Sequence, residues 1–471
     1  MLTIDGRVGE GGGQLVRTAA ALAALSGQAL RVDNVRGNRS SGGGLRPQHA
    51  AAILWLAEVT GAATAGIHTG STTFTFRPKH RLLPAGCDSS ETPIVLRAAT
   101  EAASAALMLQ TVLPYMLFGD LPQTAASPKK ATKTETTAVH LALHGGTHVS
   151  NAPTYDYLDQ VLFPTLEDWF GVRVERSIVQ RCWNTGSANG VEGHIDLVIH
   201  RPPQLAPRVY SLASETGTPK TPEIVAVEAT VYAPSEVLEQ LIEALSHEAS
   251  LCDALSRPDL QFRSVEESGH GSRLYVLLVA RTAGDEANKI PVRRWGRDYL
   301  ERGNILKAAT KGRGPAVHSK KGKKGSKGHR AKEATDVPAV ANFGAVCDRI
   351  AQRVVGYLAA DVAAGGCGDE YLQDQVVVFQ ALAAGTTSFW RGQKEKEDKE
   401  KKEDIEDDDL ELEGAVAKLK LDTDTSTADD MTAPFGEGSL HAATARWVTA
   451  ELLSGVRWSS NGTVCQGAGW T

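Results

Sequence analysis

The residues most able to do chemistry open the chain. Gly9-Glu10-Gly11-Gly12-Gly13-Gln14-Leu15-Val16-Arg17 joins an acid, an amide and a cation to three consecutive glycines, and an alanine- and leucine-rich run follows from Thr18 to Leu25. Glycine permits backbone conformations and close approaches that side chains block. The run behind it predicts a helix, so Glu10, Gln14 and Arg17 arrive at a helix start. Free N–H groups and the positive end of the helix dipole make that a place for an anion. No Gly-Lys-Ser/Thr closes the loop, which excludes a Walker loop. Close packing of a strand-to-helix turn is the competing reading. A second loop, Val35 to His49, interleaves Arg36, Arg39 and Arg46 with glycines and ends in Gln48-His49. Arginine in such a loop suits either solvent or bidentate grip on phosphate. Gln110 lies inside an apolar run and needs partners from neighbouring backbone or from a ligand. Of 13 histidines, His441 stands just before a helical stretch. Capping or packing fits a lone histidine there far better than catalysis does.

The elements that must position these residues alternate between strand and helix. Strands are expected at Leu2 to Asp5, Leu30 to Val35 and Ser71 to Arg77, with helices at Gln14 to Ser26 and Gln48 to Thr60. A strand at Thr92 to Leu96, a helix from Glu101 to Phe118, a strand at Ala138 to Leu143 and a helix from Tyr155 to Trp169 repeat the theme loosely. From about 200 to 285 the character changes, with strands at Glu223 to Tyr232 and Arg273 to Ala280 around a helix at Ser235 to Cys252. Further helices are expected at Asn342 to Asp361 and Ala442 to Leu453, and Val376 to Ala384 reads as helix or strand. Two charged stretches, 307–335 (Lys/Gly-rich) and 393–431 (Lys/Glu/Asp-rich), cannot build a core and are expected to be disordered insertions.

At 471 residues the chain has room for two or three domains, and a net charge of −6 leaves any polyanion site to a local patch. Six scattered cysteines without a Cys-x-x-Cys pair suit reduced thiols. With no basic-then-apolar leader and no apolar run of membrane-spanning length, an intracellular protein is expected.

Set in order, these pieces resemble the RNA 3′-terminal phosphate cyclase family. The resemblance rests on Asp5-Gly6 through Gln14 and Arg17, the Arg36/Arg39 loop ending in Gln48-His49, and Leu109-Gln110-Thr111-Val112-Leu113-Pro114. It continues through Gly145-Gly146-Thr147, Asn151-Ala152-Pro153, Glu370-Tyr371-Leu372-Gln373-Asp374-Gln375, Ser439-Leu440-His441 with Thr444-Ala445, and Cys465-Gln466-Gly467. It implies an α/β (α+β) fold: a large domain of three repeated βαβ-type units, here 1–199 with 286–471, carrying a smaller inserted α/β domain at 200–285. It also implies an ATP-dependent enzyme that adenylylates itself on His441, passes AMP to an RNA 3′-terminal phosphate, and closes a 2′,3′-cyclic phosphodiester. On this reading Glu10, Gln14, Arg17, Arg36, Arg39, Gln48, His49, Gln110, Asp374 and Gln375 meet nucleotide or phosphate. Glu10 and Asp374 would also hold Mg²⁺ or Mn²⁺ or orient the histidine. RNA and ATP are the implied partners, and the basic stretch suggests a nucleus-directed protein with the cytoplasm as a second location. Two departures from the family pattern stand out. Ala103 replaces a glycine before the apolar helix, and the turn Asn184 to Gly190 differs from the expected glycine run. The alternative within the same fold is a non-catalytic cyclase-like factor of ribosome biogenesis that binds pre-ribosomal RNA but lacks the histidine.

Overall fold

A computed structural model describes residues 1–39, 42–88, 91–121, 138–184, 191–207, 222–255, 259–285, 290–306, 343–390, 438–459 and 461–471. Both charged stretches expected to be disordered, the Lys/Thr-rich loop at 125–136 and most of the 184–190 turn lie outside these residues.

The first unit places β1 (Leu2–Asp5), β2 (Leu30–Asp33), β3 (Ala63–Ala65) and β4 (Phe74–Arg77) in one sheet of order β1-β2-β4-β3, with β1 and β2 parallel and the rest antiparallel. Helices α1 (Gly13–Ser26) and α2 (Pro47–Val59) supply its crossovers. The second unit repeats this order and these directions without a repeated sequence. It contains β5 (Ile94–Arg97), β6 (Ala138–His144), the short β7 (His148–Val149), β8 (Val174–Gln180), β9 (Trp183–Asn184) and β10 (His194–His200). Its main sheet runs β5-β6-β10-β8. Alternating apolar residues are enough to specify each strand, so the topology recurs where the residues do not.

Helix α3 (Ala105–Phe118) starts four residues later than expected, because the Ser104 hydroxyl caps it by accepting the Leu107 N–H at 3.3 Å. The run from Tyr155 to Phe170 is continuous, as expected, but passes through a π-turn at Leu158–Leu162. Pro164 has no N–H for the carbonyl four residues back, and the Phe163 N–H reaches Leu158 instead. The stretch beginning at Val376 is helix: Glu370–Leu382 is one element, started by Asp369, whose carboxylate accepts the N–H groups of Tyr371 and Leu372 at 2.9 Å each.

The inserted unit extends beyond residue 285. β11 (Ile224–Ala233), β12 (Leu260–Glu267), β13 (Tyr275–Thr282) and β14 (Arg294–Leu300) form one sheet in the order β12-β11-β13-β14. It packs against helices Ser235–Ser250 and Phe343–Ala364. Val231, Leu241, Trp295, Ile350, Val354 and Leu358 share its core, separate from the core of the first two units. The change of character over about 200 to 285 suggested a boundary at 285, whereas the pairing of β13 with β14 and the second helix carry the unit past that point.

The chain then returns with helix Glu370–Leu382, β15 (Thr386–Ser388), helix Leu440–Leu452, β16 (Arg457–Trp458) and β17 (Val464–Gln466). Among the described residues its sheet, β15-β17-β16, is antiparallel and lacks the parallel opening strand of the first two. Helix α1 is buried from Gly13 through Leu25 and packs on α2, α3 and the helix carrying His441. Small alanine side chains let those axes come close. A helix that meets three others must sit centrally, and this one puts the glycine loop at the heart of the molecule.

Candidate active site

Two helix starts meet here. Ser439 caps the helix Leu440–Leu452, its hydroxyl accepting the Ala442 N–H at 3.1 Å, which puts His441 in the first turn. One turn on, the fully buried Thr444 accepts the backbone N–H of Glu10 at 2.8 Å and donates to the Leu440 carbonyl at 2.7 Å. That hydroxyl ties the glycine loop to the histidine's own helix. Across the tie, His441 Nδ1 lies 3.4 Å from Glu10 Oε2. The other Glu10 oxygen is ion-paired with Arg39 Nη2.

The glycines serve this contact directly. A Cβ on Gly9, at φ +64°, would enter the Thr444 side chain, and one on Gly12 would enter the Glu10 carboxylate and lie 2.7 Å from Arg39 Nε. A Cβ on Gly13 would lie 2.8 Å from Arg17 Nη1 and 2.9 Å from His49 Nε2. The close approach foreseen for a ligand is thus made first by the protein's own side chains. No side chain caps the first turn of α1, so its N–H groups keep the anion-facing character expected of them.

The charges around the loop are crowded. Arg17 is buried and donates to Gln14 Oε1 at 2.5 Å; burial lowers its pKa, against the pull of Glu10 and Asp374. Arg36, at φ +54°, donates to the carbonyls of Gly42 and Gly44 at 3.3 and 3.2 Å. Burial, with Arg46 and Arg39 beside it, lowers its pKa to about 10. His49 is neutral at neutral pH, because burial first and then Arg17, Arg36 and Arg46 hold its pKa well below the usual value. Burial pushes Asp374 up to about 6, against His441 and Arg17, and Glu10 adds to the push. The cations in this arrangement repel one another, and a bound polyanion would relieve that repulsion.

A cleft of ≈ 460 Å³ opens beside Arg17, bounded by Gln14, Leu109, Gln110, Gln375 and Phe379. Gln110 donates to Gln375 Oε1 at 2.9 Å, and Gln375 donates to the Tyr371 carbonyl at 2.7 Å. Among the described residues, four buried atoms around the loop and cleft have no hydrogen-bond partner: Glu10 Oε2, which has only the 3.4 Å approach of His441, Arg17 Nε, His49 Nε2 and Gln110 Oε1. Buried polar atoms are rarely left so, and four together mark a place where a polar ligand completes the structure.

Nine of the sequence candidates besides His441 therefore converge, either by direct contact or through the shared electrostatics: Glu10, Gln14, Arg17, Arg36, Arg39, His49, Gln110, Asp374 and Gln375. Gln48 is half-buried at the second position of α2 and makes none of the contacts that join the others. Thr444 was not foreseen as a site residue; its spacing of three from His441 on one helix face is the signal that could have found it. Arg46 was noted only as a loop cation, and it belongs with the group that holds His49 neutral.

Among the described residues no cluster of three or more His, Cys, Asp or Glu is arranged to hold a metal ion. Two carboxylates, one with an orphaned oxygen and the other with a raised pKa, nonetheless suit a cation whose remaining ligands come from phosphate and water. All six cysteines are unpaired thiols, and no helix among the described residues is long and apolar enough to cross a membrane.

Comparison with known proteins gives this geometry a family. A profile described as RNA 3′-terminal phosphate cyclase matches residues 8–407, a span that ends short of His441. A Pyrococcus abyssi protein named RNA 3′-terminal phosphate cyclase is 31% identical over 250 residues, covering 53% of this chain and 63% of that protein. Proteins of the same name from Methylococcus capsulatus and Koribacter versatilis are 38% and 36% identical over 183 and 167 residues. Those matches cover 39% and 36% of this chain, and 45% and 40% of the relatives. The matched stretches thus span about half the length of these curated relatives. With the profile covering most of the residues, the chain belongs to the RNA 3′-terminal phosphate cyclase family.

Proposed function

We propose that this protein converts an RNA 3′-terminal phosphate to a 2′,3′-cyclic phosphodiester at the expense of ATP, with His441 as the covalent carrier of AMP. The observation that carries the reading is the meeting of His441 with Glu10, which are 431 residues apart in sequence (441 − 10), at 3.4 Å over the glycine loop.

Glu10 Oε2 stands 3.4 Å from Nδ1 of His441 without a formed hydrogen bond, and a small closing of that gap in the loaded site would let it accept that nitrogen's proton and leave the Nε2 lone pair free to attack. Attack of Nε2 on the α-phosphorus of ATP forms a phosphoramidate and expels pyrophosphate. Arg17 and Arg39, with the first-turn N–H groups of α1, neutralise the phosphate charge that builds up as the leaving group departs. An oxygen of the RNA 3′-phosphate then displaces the histidine from AMP, giving an RNA-adenylate. This step is required because a phosphate monoester has no good leaving group, whereas the new anhydride offers AMP. Attack by the neighbouring 2′-hydroxyl closes the ring and releases AMP, a displacement helped by proximity within one ribose. Gln110 and Gln375 in the cleft suit the polar edge of a nucleotide, and their apolar neighbours Leu109 and Phe379 suit its base. A Mg²⁺ or Mn²⁺ ion would be held by Glu10 and Asp374 and would supply further charge neutralisation on the phosphates. The Lys-rich stretch is read as a nuclear import signal, giving a mainly nuclear protein.

The test is incubation with ATP and an RNA oligonucleotide carrying a labelled 3′-phosphate. Conversion of the label to a phosphatase-resistant, acid-openable end is the expected result. Failure of well-folded protein to convert any RNA would move the chain to an RNA-binding role without catalysis.

A further inference from the structure

We propose that the outer face of helix Phe343–Ala364 in the inserted unit is a track for the single-stranded RNA that leads up to the reacting end. The inference rests on the function proposed above. Arg353 lies over two tyrosine rings, 6.0 Å from the centroid of Tyr299 and 5.7 Å from that of Tyr357. Tyr357 is 45% exposed and stands one turn along the helix from Arg353. Arg349, one turn the other way, is exposed and spends only its Nε, on the Ala345 carbonyl at 3.3 Å. Neither guanidinium is ion-paired with a carboxylate among the described residues, whereas Arg39, Arg97, Arg176, Arg181, Arg294 and Arg297 all are. Unpaired, exposed arginines seated on tyrosine are a weak way to stabilise a helix and a good way to receive a polyanion with flat bases. Guanidinium groups bridge phosphates and stack, and an open tyrosine face accepts any base.

The helix is tied to the helix that bears Asp374 through a buried ion pair. Four residues beyond Tyr357 on the same helix, Asp361 is ion-paired with Arg297, which lies 4.7 Å over the ring of Tyr371. Tyr371 stands three residues before Asp374, in the same helix. From Asp361 back to Arg349 is twelve residues (361 − 349), or ~18 Å at ~1.5 Å per residue, measured from that junction. A net charge of −6 gives no general attraction for RNA, so a local basic face has to provide it.

The experiment compares two substrates with 3′-phosphates, a trinucleotide and a 20-mer of the same terminal sequence, on the full chain and the double variant Arg349→Glu/Arg353→Glu. The expected result is an unchanged KM for the trinucleotide, unchanged RNA-independent labelling by ATP, and a KM for the 20-mer raised 10-fold or more. Two lost phosphate contacts should also lower the slope of log KM against log salt by about 1.4, at about 0.7 each. Arg353→Lys keeps the charge but loses the planar stack, and should give a smaller rise. A double variant that handles the 20-mer like the wild type overturns the track while leaving the cyclase reading intact. Wild-type protein that cyclises neither RNA overturns the cyclase reading and the track with it.

Discussion

Replacing Thr444 with valine is the most informative single perturbation, because it removes one oxygen while keeping the shape of the side chain. That oxygen accepts the Glu10 N–H at 2.8 Å and donates to the Leu440 carbonyl at 2.7 Å, in a fully buried position. Leu440 belongs to a helix start and its carbonyl retains helical partners, so the larger loss falls on the Glu10 N–H. A buried donor left unpaired costs about 1–3 kcal/mol. The loop can recover part of that by shifting towards water, and a shift carries the Glu10 carboxylate away from His441. If the whole cost appears at the transition state for adenylylation, the rate falls by about 5-fold to about 150-fold. The assay measures the rate of AMP transfer to protein from ATP labelled at the α-phosphate, alongside unfolding in denaturant. A valine variant of wild-type stability and wild-type labelling rate would refute the argument that this hydroxyl sets the Glu10–His441 geometry. Thr444→Ser keeps the oxygen and should label at close to the wild-type rate, which separates loss of the hydrogen bond from loss of packing.

Further outcomes follow from the same contacts. Gly12→Ala drives a methyl group into the Glu10–Arg39 pair and should reduce labelling more than it reduces stability, whereas Gly27→Ala, with nothing near its Cβ, should only weaken the helix end; equal loss of labelling in both would count against the loop's role. The Asp374 carboxyl has a folded pKa raised to about 6, so the folded state binds the extra proton between about pH 4 and pH 6. Its contribution is most favourable below that window and is lost as pH rises through about 6; Asp374→Asn should therefore raise the Tm above pH 6, leave it unchanged near pH 4, and abolish labelling. A Tm difference of the same size at both pH values would contradict the burial argument. His49 has a lowered folded pKa, so its contribution is present above the usual histidine range and is lost as pH falls, and His49→Gln should flatten the acid side of the stability profile. Gln110→Leu leaves Gln375 without its donor and should raise the KM for ATP with a smaller effect on kcat, as measured in the labelling assay.

Much of this site was legible because its residues have types that a core does not need. Arginine in a glycine loop and glutamine inside an apolar helix contradict their local setting, whereas His441, Asp374 and Gln375 do not and were singled out only by the family resemblance; most of these residues met in space. Gln48 was carried along by its neighbour His49, but lies on the helix surface without joining the cluster. Thr444 escaped notice because a buried threonine in a helix is ordinary; only its partner, 434 residues away, makes it matter. The glycines were legible as a need for close approach, but not as room for Thr444, Arg39 and His49, which come from other parts of the chain, nor for Glu10 folding back over its own loop. The fold was legible as alternating strands and helices, and the edge strands were not: β12 has charged or polar residues at five of its eight positions on an exposed edge, leaving little apolar alternation. The inserted unit was cut short at 285 because β14, with three charged residues in seven, gives little strand signal, and its covering helix lies beyond a charged stretch.

The central claim is that His441 carries AMP. Incubating the protein with ATP labelled at the α-phosphate, denaturing it and mapping the label tests this most directly. The account predicts a label on His441 that is stable in alkali and lost in acid, as for a phosphoramidate, and absent from His441→Ala. Label on another residue, or label undiminished in His441→Ala, would contradict it.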